Sequence, residues 1–123
     1  MAVDSPLLGW GTPTEDDALL PLNYTSPALA SSCVVKTGPG LLVGFTVTNT
    51  SASSQYVLVF DATTLPADGT IPILAASVSA NTTSTFNWIP GRTHQHGIIL
   101  CNSSTNTSKT IGSANCIFDV QFL

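Results

Sequence analysis

Two histidines separated by one residue come nearest, among the side chains of this sequence, to the spacing of a metal site. His94 and His96 form an H-x-H pair, and side chains two apart on a strand share a face, so both imidazoles could reach one ion. A structural zinc site needs four ligands and a catalytic one about three, and no acid or thiol accompanies the pair at a useful spacing. We therefore interpret the two histidines as surface or loop-packed residues and predict no metal.

Carboxylates are the second group that could do chemistry. The acidic residues 15–17 are consecutive, which is typical of a solvated patch or of the first turn of a helix, whereas an acid and base pair needs two different environments. Asp61, Asp68 and Asp119 lack the spaced Asp/Asn loop of a calcium site. Asp68 is better interpreted as the acid of an Asp-Gly turn with Gly69.

The sequence also lacks the motifs of nucleophilic and phosphate-binding enzymes. It contains no G-x-S-x-G elbow, which a serine nucleophile of the hydrolase type requires. Residues 38–40 (GPG) have neither the lysine nor the following helix of a phosphate-binding loop, so they predict a tight turn. We predict that the protein is not an enzyme and uses no cofactor.

Three cysteines remain to be explained. Cys33, Cys101 and Cys116 show no CxxC spacing, and an odd number cannot pair completely within one chain. We predict small, buried side chains on strands rather than a disulfide framework.

The formal net charge of −4 lies entirely in residues 1–30, which contain four acidic residues and no Lys or Arg, while residues 31–123 balance three cations against three aspartates. Four of the eight prolines also lie in the first thirty residues, and proline favours extended geometry for itself and its predecessor. This contrast predicts an extended N-terminal arm, residues 1–30, and a folded body, residues 31–123. The acidic balance excludes an electrostatic grip on nucleic acid or on an anionic membrane.

The arm carries apolar clusters that must be buried if it is to be ordered, because fixing each residue costs about 1–2 kcal/mol of backbone entropy. Its own body, a neighbouring copy or a larger partner could provide that burial. Arg92, in the body, is a further candidate contact residue because its planar guanidinium suits a contact between subunits. The candidate residues for contact with a larger partner or a second subunit are Leu7, Leu8, Trp10, Glu15, Asp16, Asp17, Leu19, Leu20, Leu22, Tyr24 and Arg92.

The body consists of short runs rich in β-branched residues that Gly, Pro and Asn separate, and no helical pattern interrupts them. These features predict an all-β, antiparallel β-sandwich of seven or eight strands, either a jelly roll or an immunoglobulin-like fold. The runs are Ser32–Thr37, Leu41–Thr48, Gln55–Asp61, Ile71–Ser79, Ser84–Trp88, His96–Leu100, Ser108–Ile111 and Ala114–Phe122.

Period-two alternation predicts which residues of two runs share a face. In the second run the apolar face is Leu41, Val43, Phe45 and Val47. In the closing run it is Cys116, Phe118, Val120 and Phe122. Pro90 and Gly91 are expected to end the fifth strand.

The run VVKTGPGLLVGFTVTNTSASSQYVLVFDATTLPADGTIPIL, Val34 to Leu74, resembles small virion proteins of tailed bacteriophages, in which a VVKxGPG turn, a V-x-V-F/H-D-A strand and an LPADG loop recur. The segment from Gly97 to Val120 is similar to the closing part of the same chains. The resemblance implies a capsid decoration or cement-like protein that lies on the virion surface and is made in the host cytoplasm. It also implies the major capsid protein as partner and a homo-oligomer, with a trimer favoured.

A carbohydrate- or receptor-binding β-sandwich module of a phage tail or head fibre is the alternative hypothesis. Trp10, Tyr24, Tyr56 and Trp88 could form a sugar-stacking platform. Tyr56 and Trp88 lie in predicted strands, however, where a role in the core is favoured.

Overall fold

The structure, a computed structural model, describes residues 20–123, with the backbone alone at Ile89 and Pro90. In this part of the chain all the regular structure is β, which confirms the predicted β-sandwich class. The eight strands are β1 (Leu22–Thr25), β2 (Ser32–Lys36), β3 (Gly40–Asn49), β4 (Gln55–Phe60), β5 (Leu74–Val78), β6 (Thr82–His94), β7 (Ile98–Ser103) and β8 (Cys116–Phe122).

The strands form two four-stranded antiparallel sheets, and their order decides between the two predicted sandwich types. Sheet A has the order β1-β8-β3-β6 and sheet B the order β2-β7-β4-β5. Successive strands therefore alternate between the sheets except at β4 and β5, which are neighbours. This is the arrangement of an eight-stranded jelly roll built from two Greek keys.

Apolar side chains that alternate along each strand fill the space between the sheets. Phe45 on β3 and Phe118 on β8 are fully buried and face Val57 and Leu100 of sheet B within one cluster. The predicted face of the closing strand is confirmed, since its first three members are fully buried and Phe122 packs against them.

The cysteine prediction is also confirmed. Cys33, Cys101 and Cys116 are buried free thiols on β2, β7 and β8. Burial raises the pKa of Cys33 to about 12 and that of each of the other two to about 11. They pack as small apolar side chains and remain protonated at neutral pH.

Strand β3 departs from simple alternation. Its pairing register with both neighbours shifts between Leu42 and Gly44, and such an irregularity moves the preceding residues to the other face. Leu42 is consequently fully buried, whereas Leu41 and Val43, predicted for the apolar face, are only half-buried.

Strand β6 continues beyond the predicted stop at Pro90 and Gly91. Asn87 pairs with Gly44 and Arg92 pairs with Leu42, so β6 has extra residues between these two pairs. Gly91, one of the extra residues, has a φ of 123°. Among residues 20–123, β6 pairs only with β3 and forms an edge of sheet A, so a proline without an N–H is tolerated in it. The proline marks a bulge here, not a strand end.

Strand β1 lies inside the segment assigned to the arm. Residues Leu22–Thr25 pair with Asp119–Phe122 of β8, and Ala30 bridges to Cys116. Four residues are too few to show a period in the sequence, and the partner strand supplies the pairing. The last part of the predicted arm thus belongs to the sandwich, and its residues 1–19 lie outside the described residues.

Sheet B carries a second apolar layer on its outer face. Leu58, Phe60, Ile99 and Cys101 alternate with core residues of β4 and β7, yet they are fully or almost fully buried. Two loops, residues 61–73 and 104–112, are bonded to each other through the Gly69 N–H to the Lys109 carbonyl (2.7 Å) and the Lys109 N–H to the Thr70 carbonyl (2.8 Å). Ala62, in the first of these loops, packs against the layer. We conclude that these loops cover the layer.

Candidate interaction surfaces

The two histidines of the H-x-H pair occupy different environments. His94 is 1% exposed, and its Nδ1 donates to the Arg92 carbonyl at 3.1 Å. His96 is exposed, with Nδ1 3.6 Å from Asp61 Oδ1. Strand β6 ends at His94, so strand geometry no longer holds the two rings on one face. Within residues 20–123 no three His, Cys, Asp or Glu side chains are grouped as metal ligands.

Asp61 binds backbone amides at the connection between β6 and β7. Its Oδ2 accepts from the Gln95 N–H at 3.0 Å, and its Oδ1 accepts from the N–H groups of His96 (2.7 Å) and Gly97 (3.2 Å). Burial raises the pKa of this carboxyl, but the three backbone donors and His94 lower it more, to about 2. The residue is a structural cap for this turn.

Lys109 and Asp68 form an ion pair beside the second apolar layer. The buried Lys109 ammonium donates to Asp68 Oδ1 at 2.6 Å, which holds the pKa of Asp68 below its usual range. Asp68 also accepts from the Ile111 N–H at 3.3 Å. The predicted Asp-Gly turn is present, with Gly69 at φ 93°, and the aspartate additionally neutralises a buried cation.

This pair should respond asymmetrically to mutation. Asp68→Ala leaves a buried ammonium without its carboxylate, whereas Lys109→Met removes the charge and retains most of the volume. We expect Asp68→Ala to lower the melting temperature by several degrees and Lys109→Met to lower it less, as thermal unfolding followed by circular dichroism will show. The double variant should be more stable than Asp68→Ala alone. A double variant no more stable than Asp68→Ala would assign the loss to the Ile111 bond instead.

The outer face of sheet A, here called the polar face, is formed by three rows of side chains across the strands. The rows follow from the pairing registers of all four strands. They are Asn23, Gln121 and Asn87, then Thr25, Asp119, Thr46 and Thr85, and then Ile117, Thr48 and Thr83. Asp119 is the single charged residue among them. Gly44 leaves room in the first row, since a Cβ there would lie 2.6 Å from the Asn87 Oδ1 atom.

The side chains of the polar face are bonded to one another. Thr46 and Thr85 are joined hydroxyl to hydroxyl at 2.9 Å, and the Thr48 and Thr83 hydroxyls at 2.8 Å. Gln121 Nε2 donates to Asn23 Oδ1 at 2.8 Å and to Asp119 Oδ1 at 3.2 Å. These bonds hold the face in one arrangement, which lowers the entropy cost of binding a flat polar partner. The abundance of Ser and Thr could have indicated such a face, but not its strand order.

Exposed apolar side chains also occur in the loops beside sheet B. Leu65, Ile71 and Ile111 are exposed in the two loops that cover sheet B, and Ile73 is exposed where the first loop joins β5. Apolar side chains that a loop holds outside the core are typical of contact sites. The sequence predicted strands over Ile71–Ser79 and Ser108–Ile111, but β5 begins only at Leu74 and none of the strands in residues 20–123 includes Ile111. Ile71, Ile73 and Ile111 were therefore assigned to strands and not to a contact surface.

Of the predicted contact residues, Leu20, Leu22, Tyr24 and Arg92 lie in the described part of the chain. Leu20 and Leu22 are about 60% exposed, whereas Tyr24 packs partly against the core, so its side chain is used at least partly within the molecule. Leu22 pairs with Phe122, which pairs with Leu42, which pairs with Arg92. The structure thus brings Leu22 and Arg92 to one end of sheet A. The remaining candidates lie outside the described residues: Leu7, Leu8, Trp10, Glu15, Asp16, Asp17 and Leu19.

Two aromatic residues have the structural role that was favoured for them. Trp88 packs on Phe45 with ring centroids 5.6 Å apart, and Tyr56 packs against the second apolar layer. Neither is free to stack on a sugar with its whole face.

No helix in residues 20–123 is long and apolar enough to cross a membrane.

The chain matches no protein-family model, no curated protein and no solved structure in the comparisons made.

Proposed function

We propose that this protein is a structural component of a tailed-bacteriophage virion, a decoration or cement-like protein that binds the major capsid protein on the head surface and stabilises the head, acting as a homo-oligomer, with a trimer favoured. The polar face of sheet A is the observation that carries the proposal. It is a rigid sheet surface with one charge among ten side chains, which suits close packing against a protein without the cost of burying unpaired ions.

Two further features support the same proposal. The jelly roll is an architecture that viral capsid domains use often, although a fold alone does not assign a function. The sequence of residues 34–74 resembles small virion proteins, and three charged side chains of the described chain have structural roles: Asp61 caps a turn and Lys109 pairs with Asp68.

Cosedimentation with capsids of the phage that encodes the chain tests the proposal. We expect the full chain to pellet with capsids at saturating stoichiometry and to raise the temperature at which they disrupt. Failure of the full chain to pellet with these capsids would overturn the proposal, and binding to host-surface glycans in its place would favour the fibre-module alternative.

Two substitutions and one deletion locate the contact. Thr85→Glu puts a charge on the polar face, and Ser77→Glu puts the same charge on an exposed position of β5 in sheet B. We expect Thr85→Glu to weaken capsid binding at least tenfold and Ser77→Glu to leave it unchanged. Deleting residues 1–19 should also weaken binding at least tenfold. Equal binding by all variants would place the contact elsewhere, with the loop residues Ile71 and Ile111 next to be tested.

A further inference from the structure

The outer strands of the two sheets differ in how well their free edges are protected. Natural edge strands avoid pairing with other chains by being short or by carrying a lysine, a proline or a bulge. Within residues 20–123, β1, β2 and β5 have four, five and five residues, and β2 also carries Lys36 and a register shift. The fourth outer strand, β6, has thirteen residues and pairs only with β3 in this part of the chain. Its length gives it no protection.

Strand β6 carries protective features in its second half alone. Pro90, the extra residues before Arg92 and the Arg92 charge all lie there. Residues 82–88 (TTSTFNW) contain no proline, glycine or charge, and their register with β3 is unbroken from Thr82 to Asn87. In an antiparallel ladder, every second residue of an outer strand directs its N–H and C=O away from its one neighbour. Residues 82–88, here called the open edge, therefore offer a regular row of donors and acceptors to another strand.

The side chains of the open edge suit a further strand on both faces of the sheet. On the inner face, the rings of Phe86 and Trp88 lie 5.1 and 5.6 Å from that of Phe45, yet both residues are only half-buried. A strand beside β6 would cover more of them. On the outer face, the Thr85 hydroxyl is bonded to that of Thr46 at 2.9 Å. A hydroxyl has one donor and two acceptor sites, so Thr85 can make a similar contact on its other side, and such cross-strand pairs stabilise sheets.

A second copy of the chain fits this edge. A twofold axis perpendicular to sheet A places the open edge antiparallel to itself, and opposite residues then lie on the same face of the joined sheet. Thr83, Thr85 and Asn87 of one copy therefore meet the same set on the outer face, and the half-buried aromatic residues of both copies lie on the inner face. No like charges oppose each other, because residues 82–88 are uncharged and residues 31–123 balance three cations against three aspartates.

We propose that the open edge of β6 pairs with the open edge of a second copy and joins two four-stranded sheets A into one continuous sheet. This contact goes beyond the proposed function, since it rests on the edge alone and on no capsid. Both polar faces then lie on the same side of the joined sheet, so one partner surface can bind two of them at once. A twofold contact is compatible with a threefold oligomer, because dihedral symmetry contains both axes. The particle then contains an even number of chains.

The mass of the full chain in solution, measured by sedimentation and native mass spectrometry, tests this proposal. We expect an even number of chains per particle. Thr85→Lys places like charges close to the twofold axis and should weaken this association at least about tenfold. Ser77→Lys, the same charge on an exposed position of the outer strand β5, should leave it unchanged. A wild-type chain that is a monomer or a trimer would overturn the proposal, and so would an equal effect of the two variants.

Amide hydrogen exchange of the unmodified chain locates the contact without a substitution. In the assembled protein, all the amides of residues 82–88 should exchange slowly, since one half of them bond to β3 and the other half to the second copy. Dilution to monomers should speed the exchange of alternate amides in this segment, whereas the outward amides of β5 should exchange fast in both samples. Fast exchange of alternate amides of residues 82–88 in the assembled protein would exclude the open edge as the contact. Neither measurement involves a capsid, so failure of capsid binding would leave both results unchanged.

Discussion

Asp61→Ala is expected to destabilise the protein by about 2–4 kcal/mol, because one carboxylate satisfies three consecutive backbone amides of the turn between β6 and β7. Hydrogen bonds to a charged acceptor contribute about 1.5–3 kcal/mol each when buried, and this carboxylate is about one-fifth exposed, so the sum is discounted. The alanine variant leaves these donors without their acceptor. Urea unfolding at pH 7 will measure the loss.

The same carboxylate predicts a pH dependence. Its pKa in the folded protein is about 2, below the ordinary value of 3.8. The stability it contributes is therefore fully present above pH 3.8 and is lost as the pH falls towards 2. The free energy of unfolding of the wild type should fall over this window. That of Asp61→Asn should be lower above pH 3.8 and should fall less as the pH is lowered.

Asp119→Asn is the matched control for this experiment. Its carboxylate accepts a side-chain bond from Gln121 on the polar face, so its replacement should cost less than about 1 kcal/mol at pH 7. If the two asparagine variants were equally stable, the three amides would be satisfied without Asp61. Water would then be the acceptor.

The parts of the fold that local patterning determines could be predicted from the sequence. The closing strand shows an apolar residue at every second position from Cys116 to Phe122, and it lies between two partners in sheet A. Both faces of such a strand are constrained, so its period survives in the sequence. Turns at Gly38–Gly40 and at Asp68 follow equally from local chemistry.

The differences occur where a partner strand or a bulge overrides the local pattern. Leu22–Thr25 is a strand because β8 offers it an edge, and nothing within four residues records that. The extra residues of β6 opposite Leu42 and Gly44 depend on an edge position that only the sheet order reveals. The prediction that Pro90 and Gly91 end this strand was therefore wrong.

The same reason explains which site contacts could not be predicted. Asp61 binds amides 34 to 36 residues away, and Asp68 pairs with a lysine 41 residues away. A sequence shows each of these aspartates next to its turn and does not show its partner. The rows of the polar face require the register of four strands, which no single segment of the sequence records.

Leu58→Ala is expected to cost about 2–5 kcal/mol, as much as the same truncation in the main core. In a sandwich without covering loops the outer face of a sheet is exposed to water, and truncating a side chain there costs little stability. Leu58 points outward between the core residues Val57 and Val59, yet it is fully buried. The two covering loops must therefore exclude water from it, and truncation leaves a cavity that hydrogen-bonded loops cannot easily close.

Two reference variants turn this prediction into a comparison of the two outer faces. Leu100→Ala truncates a main-core residue, and Ile117→Ala truncates a half-buried residue on the polar face of sheet A. In urea unfolding, Leu58→Ala and Leu100→Ala should cause similar losses of stability, and Ile117→Ala should cause a much smaller loss. A cost for Leu58→Ala no larger than that for Ile117→Ala would mean that the loops do not cover sheet B in solution. Sheet B would then present a larger apolar surface than the polar face, and the proposed contact with a capsid would have to be sought there.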